Sequence, residues 1–161
     1  MQHTRKNKGL NLFEKCILNW ADLDSTDSVL TLSRGRQDFF RHLRMRAERV
    51  CFSNQSFLLR LNRRFDLCLS AKPLCFMQNF REALALAKCN LQKGKLLLVS
   101  YCAPQFLVNL LNSFCKDSKG QPFKKFYSKK ELEALMRAEG FLDVRCSVEY
   151  GFIAVCTGWS C

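Results

Sequence analysis

Phe65-Asp66-Leu67-Cys68-Leu69-Ser70, then Phe80, Leu84, Ala87 and Leu91, then Lys95-Leu96-Leu97-Leu98-Val99-Ser100-Tyr101 follow one another along the chain. The first run is short, apolar and of the buried-strand type; the second recurs at steps of four, three and four, a helix stripe; the third is the most apolar strand candidate in the sequence. Strand, helix and strand in succession predict a parallel pair with a helix crossover. Upstream, Leu12, Phe13, Cys16, Ile17 and Trp20 mark a helix, and Val29-Leu30-Thr31-Leu32 a strand. A second amphipathic stretch, 38–46, carries Phe39, Phe40 and Leu43 on one side, and Arg49-Val50-Cys51-Phe52 reads as the next strand. Downstream, Pro104 opens a helix bearing Leu107, Leu110, Leu111 and Phe114. Ser128-Lys129-Lys130-Glu131 is a capping box, Leu132, Leu135 and Met136 are the stripe behind it, and Gly140 stops that helix. Residues 144–148 and 152–156, joined by Glu149-Tyr150-Gly151, read as an antiparallel hairpin. Such alternation predicts an α/β protein with a mostly parallel sheet covered by helices and joined by right-handed crossovers.

The 161 residues, 48% of them apolar, supply enough material for a core. The longest unbroken apolar runs, 83–87 and 152–156, are five residues each, far short of the roughly 20 that a membrane-spanning helix needs. A formal net charge of +12 favours acidic partners without choosing among them. None of the ten cysteines stands in a C-x-x-C, and only His3 and His42 could join them, so no metal site is expected. Cysteines inside apolar stretches, such as Cys68 and Cys156, behave as small hydrophobes. The expectation is a reduced protein of the cytoplasm, with an organelle address as the alternative because Arg5, Lys6 and Lys8 precede the first acid, Glu14.

From Phe65 onward the chain resembles a class I S-adenosylmethionine-dependent methyltransferase. Residues 65–70 resemble that family's fourth strand, 82–99 its next helix, glycine turn and fifth strand, and 126–141 its last helix, with the closing hairpin similar to its antiparallel strand pair. The resemblance implies a three-layer Rossmann-like sheet, mostly parallel with a C-terminal antiparallel hairpin, in one methyltransferase-like domain over residues 1–161, an N-terminal helix in 1–24 and the sheet core in 25–161. Upstream the likeness thins. The family ends its first strand in an acid and a glycine-rich turn, because the cofactor approaches the backbone closely there. At the matching positions Thr31 replaces the acid, Ser33 and Gln37 replace two glycines, and Gly35 alone remains. The acid expected after the second strand is Asn54, whose amide offers one acceptor oxygen instead of two. Twelve positions separate Asn54 from Asp66, too few for a strand-helix-strand unit of about 30 residues, so the usual third strand and its helix are expected to be lacking.

The resemblance therefore implies a degenerate, shortened member: a methyltransferase-like protein with a crippled cofactor site, no cofactor expected, acting as an interaction or regulatory subunit. The uncovered sheet edge is expected to take a protein partner or a second copy of the chain. The alternative is a divergent active methyltransferase, in which S-adenosylmethionine would lean on Gly35, Asn54 and Ser70; no catalytic residue is assigned. A second alternative is a basic nucleic-acid-binding module. Nine arginines crowd residues 34–64, where Asp38 and Glu48 are the only acids, and Arg34, Arg36, Arg41 and Arg44 form the candidate anion-binding set for RNA or another polyanion. Tyr101 and Cys102, and Ser70, Ala71 and Lys72, lie just past parallel strands, on the rim where open α/β sheets bind ligands. Asp66 reads as part of a fold-building strand.

Overall fold

A computed structural model describes residues 9–33, 35–52, 64–71, 73, 80–104, 107–108, 110–111 and 126–160. In chain order the elements are α1 (Leu12–Ala21), β1 (Ser28–Thr31), α2 (Gln37–Arg44), β2 (Arg49–Phe52), β3 (Phe65–Leu69), α3 (Phe80–Asn90), β4 (Leu91–Tyr101), α4 (Lys129–Ala138), β5 (Leu142–Glu149) and β6 (Ile153–Trp159). The six strands form one sheet in the order β2-β1-β3-β4-β6-β5. β1 lies parallel to β2 and to β3, and β3 lies parallel to β4. β6 runs antiparallel between β4 and β5, so five of the six strands point one way. This is the mixed sheet expected from the sequence. Among the described residues no strand pairs with the outer edge of β2.

Alternating side chains divide the core between the two faces of the sheet. Val29, Leu67, Leu69, Leu97 and Val99 pack under α1 and α2, against Phe13, Ile17, Phe39 and Leu43. Leu30, Cys68, Leu96 and Leu98 pack under α3 and α4, against Leu84, Ala87, Leu132 and Met136. Three layers result, helix on sheet on helix.

The helix ends follow their local chemistry. Ser128 accepts from the Glu131 N–H while the Glu131 carboxylate accepts from the Ser128 N–H, the reciprocal cap its sequence predicts. Gly140, at φ +79°, ends α4, and the Lys88 ammonium donates to the Glu139 carbonyl at 2.9 Å. An equivalent cap opens α1, where Asn11 and Glu14 exchange the same two bonds at 2.8 and 2.9 Å. Residues 107, 108, 110 and 111 are helical behind Pro104, whose carbonyl accepts from Leu107 and Val108; Phe114 lies outside the described residues.

Three details differ from the sequence reading. The expected glycine turn at 92–94 lies inside β4: Leu91 pairs with Phe65 and Lys95 with Leu67, so two extra residues are accommodated at a bulge. Glycine is needed there because a Cβ at position 94 would come within 2.7 Å of the carbonyl oxygens of Phe65 and Asp66. The hairpin strands also run longer than 144–148 and 152–156, their turn formed by Tyr150 and Gly151 at φ +52° and +76°. Finally, Cys146 and Cys156, expected as thiols, are joined in a disulfide. They face one another across the β5–β6 ladder, a pairing set by strand register that linear spacing does not reveal.

Candidate functional site

The carboxyl ends of β1, β2, β3 and β4 share one rim of the sheet. Hydrogen bonding continues one residue past two of them: Leu32 donates to the Leu69 carbonyl at 2.8 Å, and Ser70 to the Leu97 carbonyl at 3.3 Å. The loops after β1 and β3 are thereby held side by side. Thr31 is fully buried, and its hydroxyl donates to the Cys51 carbonyl on β2 at 3.3 Å. Beyond it, Gly35 rests against the neighbouring loop. A Cβ added there would lie 3.0 Å from the Ala71 Cβ, 3.2 Å from the Phe39 ring and 3.5 Å from the Phe40 ring. Ser70 is fully buried. Gly35 and Ser70 thus come together on adjacent loops, whereas Asn54, Arg34 and Lys72 lie outside the described residues.

At the end of β4, Tyr101 is bracketed by Phe13 of α1 and Phe152 of the hairpin tip, with ring centroids 5.8 and 6.3 Å away. Cys102 donates its N–H to the Phe152 carbonyl and bridges to Tyr127. It borders a largely apolar pocket of about 350 Å³, shared with Pro104, Ser128, Lys129 and Val148. Burial pushes the Cys102 thiol above its ordinary pKa, which lowers its thiolate fraction and makes it a poor nucleophile.

The arginine set is split by the fold. Arg36 forms ion pairs with Glu14 at 3.5 Å and Asp38 at 3.7 Å, fastening the start of α2 to α1. Glu14, its side chain only 4% exposed, is the partner the sequence reading missed, although Asn11-x-x-Glu14 before an apolar stripe is a legible cap. Arg41 and Arg44, one helical turn apart and exposed, line a groove of about 860 Å³ between α2 and β2. Phe40, Met45 and Phe52 form its apolar part. The Phe40 and Phe52 rings meet edge to face with centroids 4.2 Å apart, and the Arg44 guanidinium lies 5.9 Å from the Phe52 centroid. Phe52, close in sequence to the arginines and able to stack, is a readable candidate; Met45 carries no sequence signal for this groove, since only the chain's turn after α2 brings it there.

Asp66 sits at the opposite, amino end of the strands. Its carboxylate accepts from the Ser28 hydroxyl at 2.7 Å and the Ser28 N–H at 2.9 Å. These bonds, the hydroxyl's first, hold its pKa below the ordinary carboxylate value. Asp66 therefore ties the start of β3 to the start of β1, as the fold-building reading had it. Among the described residues no group of acids, histidines and cysteines is placed to hold a metal ion, and no helix is long and apolar enough to cross a membrane.

Solved structures with this architecture include methyltransferases. An S-adenosylmethionine-dependent methyltransferase from Archaeoglobus fulgidus superposes with a TM-score of 0.67 at 12% identity, over 91% of this chain and 92% of its own. Human N-acetylserotonin methyltransferase in complex with S-adenosylmethionine gives 0.67 at 12% identity, over 92% of this chain and 52% of its own. The YcgJ protein of Bacillus subtilis gives 0.69 at 12% identity, over 91% and 97%. No protein-family model matches the chain, and no curated protein matches it significantly. The chain has the fold of the class I S-adenosylmethionine-dependent methyltransferases.

Proposed function

We propose that this protein is a methyltransferase-fold subunit whose first-strand turn lacks the acid and the glycines that a nucleoside cofactor needs there, and which works through its surface, without catalysis. The observation that carries the reading is the seat of Gly35. In the family that the chain resembles from Phe65 onward, the turn after the first strand, which corresponds to residues 29–38 here, stays free so that the cofactor can approach the backbone. Here the same turn rests on Ala71 and Phe39, with the Cβ position only 3.0 and 3.2 Å from them. Thr31 offers no carboxylate, and its hydroxyl is engaged inside the sheet. Ser70 is buried and presents nothing to a ligand. These residues fit S-adenosylmethionine poorly, so no cofactor is assigned and no transfer step is derived.

Among the described residues, the free thiols of Cys16, Cys51, Cys68, Cys89 and Cys102 support a reducing compartment such as the cytoplasm; the Cys146–Cys156 bond is the feature that points the other way. The test is titration calorimetry of the purified chain with S-adenosylmethionine and with its demethylated product. No saturable heat is expected up to about 1 mM ligand, whereas a micromolar Kd for either would overturn the reading.

A further inference from the structure

We infer that the groove between α2 and β2 binds single-stranded nucleic acid, its phosphates on Arg41 and Arg44 and one base against Phe52. This goes beyond the subunit reading; the groove shares Gly35 with the turn that reading rests on, but the inference stands on Arg41, Arg44 and Phe52, and the cofactor titration tests the one reading without the other.

Charge complementarity comes first. Nine arginines and two acids occupy residues 34–64 of a chain that carries +12 overall. Of those two acids, Asp38 borders the groove and is already paired with Arg36. Arg41 and Arg44 stand exposed on one side of α2, three residues apart, and consecutive helix positions of that spacing lie about 5–6 Å from one another between their Cβ atoms. That separation is suited to neighbouring phosphates of one strand. Guanidinium forks bind phosphate oxygens in pairs, which makes arginine the better residue for this task.

Shape and chemistry of the floor then select among polyanions. Phe52 is half-buried at the end of β2, braced edge-on by Phe40 at 4.2 Å and approached by the Arg44 guanidinium at 5.9 Å. The Arg44 guanidinium lies over the Phe52 ring, and a planar cation paired with a fixed aromatic ring is a stacking platform for an unpaired base, which exposes a π face. A duplex hides those faces in its stack, and a phospholipid headgroup has no flat aromatic ring to place there. The groove's volume, about 860 Å³, lies in the range of 300–1,000 Å³ typical of small-ligand sites, enough for a short stretch of strand.

The experiment is fluorescence anisotropy with a fluorescein-labelled uridine dodecamer, titrated with the full chain at several salt concentrations between about 50 and 400 mM. Saturable binding is expected, weakening steeply with salt. Arg41→Glu with Arg44→Glu should lower affinity at least tenfold and reduce the slope of log affinity on log salt by about 1.4, because each lost phosphate contact on a single strand removes about 0.7. Phe52→Leu should cost at least fivefold while leaving that slope unchanged, since stacking carries no counterion release. Lys129→Glu with Lys130→Glu, on α4 across the sheet, makes the same charge change and should leave affinity within twofold after the salt slope is matched. Thermal melting confirms that each variant is folded. Absence of binding, or equal losses from the arginine and lysine pairs, would overturn the inference. So would Arg41- and Arg44-dependent binding to vesicles containing anionic lipid with none to the dodecamer.

Discussion

Replacing Thr31 by Asp puts at the end of β1 the carboxylate that methyltransferases resembling this chain carry, and the structure sets what that costs. Thr31 has no exposed surface, and its hydroxyl donates to the Cys51 carbonyl at 3.3 Å. Threonine and aspartate are close in size, so packing changes little and charge decides the outcome. An ionised carboxylate there loses its water and faces a carbonyl oxygen that also accepts. Full burial raises carboxyl pKa values by up to 3–5 units, and a rise of about 3 units corresponds to about 4 kcal/mol between protonation states. For an acid whose folded pKa is raised, the penalty is absent below the unfolded value of about 3.9 and grows as pH climbs towards the folded value. The variant should therefore lose about 4 kcal/mol near pH 7 and only about 0.5 kcal/mol near pH 4, where the neutral acid can donate to Cys51 as threonine does. With a urea m-value of about 2 kcal/mol/M, the unfolding midpoint falls by about 2 M at pH 7 and by about 0.2 M at pH 4, each against wild type at the same pH. Thr31→Val, which removes only the hydrogen bond, should lose about 1 kcal/mol at both. A Thr31→Asp midpoint within about 0.5 M of wild type at pH 7 would refute the claim that this strand end is sealed, the more so if that variant bound S-adenosylmethionine.

Two further outcomes follow from the sheet. Gly94→Ala forces a Cβ to 2.7 Å from two β3 carbonyl oxygens, which cannot swing aside as a side chain would. Overpacking of this kind costs about 3 kcal/mol, or a Tm lowered by about 6–12 °C for a chain of this size, and a calorimetric Tm within 1 °C of wild type would contradict the close approach. Ser28→Ala removes the hydroxyl that is the first cause of the lowered pKa of Asp66. A depressed carboxyl contributes stability above its unfolded pKa and loses it as pH falls through the folded one. The variant should be weaker by about 1 kcal/mol at pH 6, with the difference shrinking towards pH 3; a constant gap in denaturant midpoints would remove the assignment.

The fold was readable because it rests on local periodicity: the stripes of α1, α3 and α4 and the apolar runs of β3 and β4 announce themselves within a dozen residues. The strand order and the absence of a strand beyond β2 among the described residues followed from a count of chain length and from resemblance. What stayed hidden depends on register or on long-range approach. Cys146 and Cys156 meet only because β5 and β6 pair at that offset. Gly94 reads as a turn residue, yet it is required by β3 passing beside it. At the candidate site, Gly35 was legible as the surviving glycine, but its contact with Ala71 joins two loops that no local pattern relates. Arg36 and Arg41 look alike in sequence, and the ion pairs to the buried Glu14 and to Asp38 separate the tethered arginine from the one left in the groove.

The position of β6 has a consequence for any shortened form of the chain. Removing residues 153–159 takes away a slat from the interior of the sheet and leaves its border strand, β5, with no strand to pair with. Such a fragment would offer two raw edges, those of β4 and β5, separated by a gap one strand wide. A synthetic peptide spanning Ile153–Trp159 is the piece shaped to fill that gap, which makes this hairpin the natural place to divide the protein into two halves that report on each other.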